Sequence, residues 1–88
     1  MKLGIIAGNR LLPVLLVKNI KEKYSQYQTI TFCFRGETKS TISQYADKTY
    51  WLNVGSLGVL RDSLKQEGIK DCIMVGQITP LRIFQKKN

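Results

Sequence analysis

The chain has 88 residues, of which 43% are hydrophobic and 23% are charged. This is the composition of one small folded domain with a modest core, and it excludes a disordered chain. The net charge of +8, from 14 Lys and Arg against 6 Asp and Glu, favours an anionic partner: nucleic acid, an anionic membrane surface or a phosphorylated ligand. The basic residues are scattered, with Lys86-Lys87 the single adjacent pair, which argues against nucleic acid.

Several classes of site are excluded by what the composition lacks. The chain contains no histidine, so catalytic triads that depend on histidine cannot form, and two cysteines alone do not make a zinc site. No two acidic residues are spaced as a carboxylate dyad. We therefore predict no catalytic residue and no metal ligand in this chain.

The two cysteines indicate a compartment. Cys33 and Cys72 each lie inside an apolar run, which predicts buried free thiols in a cytosolic protein. The apolar opening is too short for a secretory signal, and no apolar run approaches the roughly 18 residues of a membrane span. These features predict a cytoplasmic protein.

The first half of the chain predicts two strands with a helix between them. Residues 3–7 form an apolar run without alternation, which is typical of a parallel strand buried on both faces. After a Gly-Asn-Arg turn, residues 11–24 have helical periodicity, with Pro13 in the first turn, where a missing N–H costs nothing. The predicted inner face comprises Leu12, Leu15, Leu16, Ile20 and Tyr24, opposite a face that carries Lys18, Lys21, Glu22 and Lys23. Residues 29–35 are β-branched and aromatic and predict the second strand.

The second half predicts two more strands and a second helix. Residues 37–47 predict a loop with a short helical turn, and residues 49–54 a strand with Tyr50, Leu52 and Val54 on one face and Trp51 on the other. Ser56 is placed to cap a helix that runs to Glu67 with the inner stripe Leu57, Leu60 and Leu64. Gly68 would end this helix in a left-handed conformation, with Ile69 closing the apolar contact.

The last predicted elements are a fourth strand at residues 71–75 and the start of a helix at residues 81–84. Strands that alternate with helices indicate an α/β fold with a small Rossmann-like parallel sheet, and right-handed crossovers restrict its strand order. We predict the order 3-2-1-4, with 2-1-3-4 as the alternative. In the first order, Gly8-Asn9-Arg10 lies beside Gly76-Gln77 at the switch point where ligands enter such sheets.

Glycines follow three of the predicted strands, at Gly8, at Gly55 with Gly58, and at Gly76. Such glycines allow the backbone to approach a phosphate closely, and they also serve simply as tight turns. For Gly8 we predict a positive φ, whereas Gly4, inside a strand, is predicted to be a packing glycine. The opening lacks the later glycines of a dinucleotide fingerprint, and no P-loop motif is present.

Arg10 is predicted at the amino end of the first helix, where its charge opposes the helix dipole. This placement indicates an anionic partner, and a solvated surface arginine is the open alternative. Arg35 and Arg82 are weaker candidates of the same kind.

Four motifs carry a resemblance to a known family. They are Leu3-Gly4-Ile5-Ile6-Ala7-Gly8 with Leu12-Pro13, Tyr45-Ala46-Asp47, Gly55-Ser56-Leu57-Gly58 before the second helix, and Val75-Gly76-Gln77-Ile78. In order and spacing they resemble the amino-terminal domain of bacterial UDP-2,3-diacylglucosamine pyrophosphatases of lipid A synthesis, in the two-domain cytoplasmic family that opens with IAGxGxLP. The sequence departs from that family at the second opening glycine, which is replaced by Asn9 or Arg10, and at Val59 and Gln77.

The resemblance implies a fold, an activity and a ligand. Residues 1–88 would form one Rossmann-like domain of an enzyme that hydrolyses UDP-2,3-diacylglucosamine to 2,3-diacylglucosamine 1-phosphate and UMP with a divalent cation, typically Mg²⁺. The catalytic aspartate would belong to a carboxyl-terminal domain absent from this chain, which would then be inactive alone and bind no cation by itself. The implied substrate-binding residues are Gly8, Asn9, Arg10, Leu12, Pro13, Gly76 and Gln77.

Two other functions stay open. The chain could be a stand-alone binding module for a nucleotide or a phosphorylated ligand. It could also be a basic interaction protein that contacts nucleic acid or anionic lipid through Lys18, Lys21, Lys23, Lys86 and Lys87. Further expected partners are the substrate or its lipid 1-phosphate product, the missing domain, an anionic membrane at its periphery and, through an exposed strand edge, a second copy of the chain.

Overall fold

A computed structural model describes residues 1–77 of the chain. Within them, four strands alternate with two α-helices and one short 3-10 helix. In chain order the elements are β1 (Lys2–Ala7), α1 (Leu12–Lys23), β2 (Gln28–Phe34), the 3-10 helix (Ser40–Gln44), β3 (Lys48–Leu52), α2 (Leu57–Glu67) and β4 (Cys72–Val75).

The strands form one parallel sheet in the order β3-β2-β1-β4. Ile5 of β1 lies between Thr31 of β2 and Ile73 of β4. The predicted order 3-2-1-4 is confirmed, and the alternative 2-1-3-4 is wrong. Since all four strands run in the same direction, their carboxyl ends lie along one edge of the sheet, and the turns that follow them share that edge.

The core has two parts, one on each face of the sheet. Leu3, Ile5, Ala7 and Cys33 lie on the face covered by α1 and the 3-10 helix. Ile30, Phe32, Phe34, Leu52 and Val54 lie on the opposite face, where Leu60 and Leu64 of α2 pack against them. The predicted faces of β3 are confirmed, because Tyr50 packs against this second cluster and Trp51 against the first.

The inner face of α1 differs from the prediction. Leu12, Leu15 and Tyr24 are 60%, 50% and 50% exposed, whereas the buried residues of the helix are Pro13, Val14, Val17 and Ile20. The helix carries two apolar stripes, and periodicity cannot tell which one faces the sheet. The contact of Pro13 with the turn at Gly76 selects the stripe that is buried.

α2 ends as predicted and packs partly as predicted. Gly68 has φ of 68°, and the Ile69 N–H donates to the Leu64 carbonyl at 3.1 Å, which is the closure of a left-handed helix terminus. Ser56 occupies the N-cap, but its side chain makes no capping hydrogen bond. The predicted inner position of Leu57 is wrong, since it is 69% exposed, whereas Leu60 and Leu64 pack against the core.

β4 is one of the two edge strands of the sheet that residues 1–77 form. Cys33 is buried as predicted, but Cys72 is exposed, and that prediction is wrong. Ile73 and Met74 of the same strand are 40% and 78% exposed. Ile73 and Met74 alternate to opposite faces of the strand, so neither face of β4 is fully covered by the described residues, and an apolar strand sequence predicts burial only where both faces are covered. The predicted helix at residues 81–84 and Arg82 lie outside the described residues.

A charged cluster around Glu67, the last residue of α2, lies at the amino ends of β1 and β3. Lys48 Nζ lies 2.5 Å from one carboxylate oxygen of Glu67 and Lys2 Nζ 3.3 Å from the other. The Tyr50 hydroxyl donates to the same carboxylate, and the Tyr50 ring stacks on Phe32 at a centroid distance of 5.2 Å. The hydrogen bonds from Lys48 and Tyr50 lower the pKa of Glu67 to about 2. This cluster fixes the carboxyl end of α2 beneath the sheet.

Candidate functional site

The candidate site is built where β1 and β4 end side by side. The Gly8 N–H donates to the Val75 carbonyl at 2.8 Å, and the Asn9 N–H donates to the Gln77 carbonyl at 2.6 Å. The two turns thereby continue the parallel pairing of the strands beyond the sheet itself. Gly8-Asn9 lies beside Gly76-Gln77, as the predicted strand order requires. We call these four residues, with Arg10, the β1–β4 lip.

The glycines of the lip are required by close approach of the two turns. A Cβ atom on Gly8 would lie 2.5 Å from the Gln77 backbone nitrogen, and one on Gly76 would lie 2.9 Å from both the Asn9 carbonyl oxygen and Pro13 Cγ. Gly76 also has φ of 89°. The backbone surfaces of the lip are therefore in contact, with no room for side chains between them.

The predicted positive φ at Gly8 is wrong. Positive φ falls instead on Arg10, at 72°, the single non-glycine residue with positive φ among residues 1–77. A left-handed conformation costs an L-residue on the order of 1 kcal/mol. The positive φ therefore falls two residues later than the sequence suggests, after Asn9, whose N–H is still bonded to the Gln77 carbonyl.

Arg10 is exposed and lies immediately before the amino end of α1. The first turn of α1 contains no acidic residue, and its N-cap residue, Leu11, gives no side-chain cap. The helix dipole and the guanidinium group both place positive charge at this end of the sheet. Strained non-glycine residues cluster at functional sites, so the conformation and charge of Arg10 together favour the predicted anionic ligand.

Asn9 connects the lip to the end of β2. Its side-chain Nδ2 donates to Glu37 Oε1 at 3.0 Å. Its Oδ1 is buried, and among the described residues it has no hydrogen-bond partner. A flipped amide would place Oδ1 against the Glu37 carboxylate, so the observed orientation is the one that Glu37 selects. The lip thus contains a buried acceptor in a fixed orientation.

Glu37 and Thr38 are site residues that the sequence analysis did not identify. Thr38 Oγ1 donates to the Ala7 carbonyl at 2.6 Å and accepts the Phe34 N–H at 2.9 Å. This buried hydroxyl ties the end of β2 to the end of β1 and so positions Glu37. Their position in the sequence could have identified them, because polar residues that directly follow the strand next to β1 lie at the ligand-binding edge of such sheets.

Of the two remaining predicted site residues, one is buried and the other is exposed. Pro13 is buried against Gly76, whereas Leu12 is exposed on α1. A cleft of about 230 Å³ opens beside the lip and is lined in part by Gly8, Phe34, Met74 and Gly76. The structure therefore brings the lip and Pro13 together, with Leu12 at their margin, and their role in binding stays a prediction.

The weaker candidates lie further along the same edge. Arg35 Nη1 donates to Asn53 Oδ1 at 3.1 Å, which links the ends of β2 and β3. Gly55 has φ of 92°, so the turn after β3 requires glycine for its backbone conformation, whereas nothing lies within 4 Å of a Cβ atom on Gly58.

The site presents several polar groups at the edge of the sheet. It offers backbone amides, the Asn9 amide, the Glu37 carboxylate and the Arg10 guanidinium group. Within residues 1–77, no three His, Cys, Asp or Glu side chains lie together as metal ligands, and no helix there is long and apolar enough to cross a membrane.

Comparison with known proteins identified one family. The profile of the LpxI N-terminal domain matches residues 2–88, and the match includes every predicted site residue. The comparison with curated proteins found no match, and neither did the comparison with solved structures. The resemblance drawn from the four motifs is confirmed at the level of this family.

Proposed function

The chain belongs to the LpxI N-terminal domain family, the amino-terminal domains of lipid A biosynthesis pyrophosphatases, and we propose that it forms the substrate-cleft part of a UDP-2,3-diacylglucosamine pyrophosphatase. In this reaction water adds across the P–O–P linkage of UDP-2,3-diacylglucosamine and gives 2,3-diacylglucosamine 1-phosphate and UMP. The observation that carries the proposal is the family match over residues 2–88.

The lip supplies one wall of the proposed cleft. Its backbone is held in place by hydrogen bonds between the β1 and β4 turns, so it is organised before any ligand arrives. Arg10 and the amino end of α1 add positive charge where a diphosphate would bind. The net charge of +8 attracts an anionic lipid nucleotide over a longer range.

We propose that the divalent cation and the catalytic aspartate lie outside this domain. The family resemblance implies both, but the ligand groups of residues 1–77 do not form a set that fits a metal ion. We therefore place both in the family's carboxyl-terminal domain, with the present domain binding and orienting the substrate. Accordingly, the domain alone is proposed to be inactive.

The binding role is tested by titrating the ¹⁵N-labelled chain with UMP and with 2,3-diacylglucosamine 1-phosphate. Amide shifts are expected to concentrate at Gly8, Asn9, Gly76 and Gln77. Replacing Arg10 with alanine is expected to weaken binding by roughly threefold to tenfold, as for loss of one partly exposed charge contact.

Arg61→Ala is the matched control, because Arg61 is an exposed arginine on α2 that lies 3.4 Å from the carboxylate of its neighbour Asp62. Its affinity for both ligands should equal that of the parent chain. Shifts that avoid the lip, or equal losses from Arg10→Ala and Arg61→Ala, would show that this edge is not the binding surface.

Catalysis is tested separately by following UMP release from UDP-2,3-diacylglucosamine with Mg²⁺ present. The chain alone is expected to release none, and its addition to the carboxyl-terminal domain of an LpxI enzyme is expected to stimulate release. UMP formation by the chain alone would contradict the division of roles.

A stand-alone binding module for a nucleotide or phosphorylated ligand is the second candidate. It is supported by Arg10, since the charge and the strained backbone are complete within this chain. Such a module would bind UMP equally well with and without the carboxyl-terminal domain, whereas a cleft shared by two domains requires tighter binding when both are present.

A further inference from the structure

The outer face of α1 exposes three leucines at its amino end. Leu11, Leu12 and Leu15 are 52%, 60% and 50% exposed. At about 100° per residue, Leu15 projects within roughly 60° of both of the others, so the three side chains form one patch. Scattered exposed leucines are ordinary, but a contiguous apolar patch indicates an interaction surface. We call these three residues the leucine patch.

The leucine patch is not left over from core packing. The opposite side of α1 already packs on the sheet through Pro13, Val14, Val17 and Ile20, all of which are buried. The leucines therefore face away from a helix–sheet contact that is complete without them. A separate apolar groove of about 350 Å³ lies between α1 and β4, lined in part by Leu16, Tyr24 and Ile73, and none of the three leucines lines it.

Basic residues flank the leucine patch along the chain, with Arg10 before it and three lysines of α1 after it. Between positions 10 and 24 the chain has four basic residues and one acidic residue, and all five are exposed: Arg10, Lys18, Lys21, Lys23 and Glu22. Lys18 leans to one side of the helix, where its Nζ lies 5.8 Å from the centre of the Tyr45 ring. A helix with exposed leucines bordered by lysine and arginine is complementary to the anionic surface and apolar interior of a lipid bilayer.

We infer that the outer face of α1 docks on an anionic lipid bilayer, with the leucine patch inserted below the headgroups and the flanking basic residues in contact with lipid phosphates. Because Arg10 belongs to the β1–β4 lip and directly precedes Leu11 of the leucine patch, docking places the candidate cleft at the lipid surface. The inference goes beyond the proposed function, since it requires neither the substrate nor a second domain.

The test is co-sedimentation of the chain with vesicles that contain phosphatidylglycerol and phosphatidylcholine in equal amounts. The chain is expected to bind these vesicles and to bind pure phosphatidylcholine vesicles far less. The double variant Leu12→Ser/Leu15→Ser should lower the partition coefficient by at least roughly tenfold, given the apolar area of two half-exposed leucines. Lys18→Gln/Lys23→Gln should lower it by roughly tenfold as well, and this loss should shrink in high salt.

The matched control is Leu57→Ser/Val59→Ser on α2, where the two replaced side chains are 69% and 53% exposed. It removes a similar exposed apolar area outside the leucine patch and should leave vesicle binding unchanged. Circular dichroism and urea unfolding confirm that each variant is folded.

Three results would overturn the inference: no sedimentation of the parent chain, equal losses in the α1 and α2 variants, or binding indifferent to lipid charge. A fourth is a leucine-patch variant that binds vesicles like the parent while light scattering shows a dimer converted to a monomer. That result would assign the patch to self-association. Since the vesicles carry no substrate, none of these outcomes depends on the proposed enzymatic function.

Discussion

Replacing Gly8 with alanine tests whether close contact between the β1 and β4 turns holds the lip together. The added Cβ would lie 2.7 Å from the Gln77 carbonyl carbon, where non-bonded carbon atoms prefer about 3.5–4.0 Å. Relief requires the turns to part by roughly 1 Å, which takes the 2.6 Å hydrogen bond from Asn9 to Gln77 beyond its normal range.

The expected cost of Gly8→Ala combines two terms. Overpacking typically costs about 1–3 kcal/mol, and each lost hydrogen bond about 1 kcal/mol. We therefore expect the free energy of unfolding to fall by about 2–4 kcal/mol and Tm to fall by roughly 10 °C or more. Urea unfolding followed by the fluorescence of Trp51, which packs against the core of the sheet, measures this change.

Substitutions at two further glycines distinguish the cost of a steric contact from the cost of a left-handed backbone conformation. Gly58, in the first turn of α2, has nothing within 4 Å of an added Cβ, and Gly58→Ala should stabilise the protein by up to about 1 kcal/mol. Gly68 has equally open space but φ of 68°, and Gly68→Ala should cost about 1 kcal/mol from the backbone alone. If Gly8→Ala is as stable as the parent, or behaves like Gly58→Ala, the turns are not in the contact described.

Two other predictions concern ionisable groups. Hydrogen bonds from Lys48 and Tyr50 lower the pKa of Glu67 from 4.5 to about 2. Between these pH values the folded chain therefore binds fewer protons than the unfolded chain. Its stability should fall as the pH drops from about 4.5 towards 2. Urea unfolding across this range should show that part of the pH dependence lost in Glu67→Gln; an unchanged slope would contradict it. Burial raises the pKa of the Cys33 thiol to about 11, whereas Cys72 is exposed, so Ellman's reagent should label one thiol in the folded chain and two in urea. Cys72→Ser should remove the fast reaction, and its persistence would show that Cys33 is accessible.

The strand order could be predicted because it depends on few choices. Four apolar runs separated by helical segments leave a small set of right-handed parallel topologies, and the observed order was the preferred one. The carboxyl end of α2 was equally predictable, since Gly68 is the residue type that a left-handed helix terminus requires.

The packing faces were harder to predict because they depend on partners distant in sequence. Both apolar stripes of α1 satisfy helical periodicity, and the contact between Pro13 and Gly76 decides between them. Cys72 lies in as apolar a run as Cys33 does, yet the two differ in burial because β2 is central and β4 is at the edge of the described sheet.

Part of the candidate site could be predicted from the sequence and part could not. Gly8, Asn9, Gly76 and Gln77 were predicted as neighbours from the strand order, but the reason for glycine at position 8 was assigned to φ when it is the backbone of Gln77. Glu37 was not identified, because its hydrogen bond to Asn9 spans 28 positions and leaves no local pattern.

The sequence by itself therefore determined the alternation of strands and helices, the parallel order of the sheet, the left-handed end of α2 and the family, because each depends on local chemistry or on motif spacing. Only the tertiary structure decided which stripe of α1 is buried, which cysteine is exposed, where the first turn takes its positive φ and how Asn9 is held. These features depend on contacts between segments up to about 70 positions apart, as between Gly8 and Gln77, and such contacts exist only once the strands are side by side.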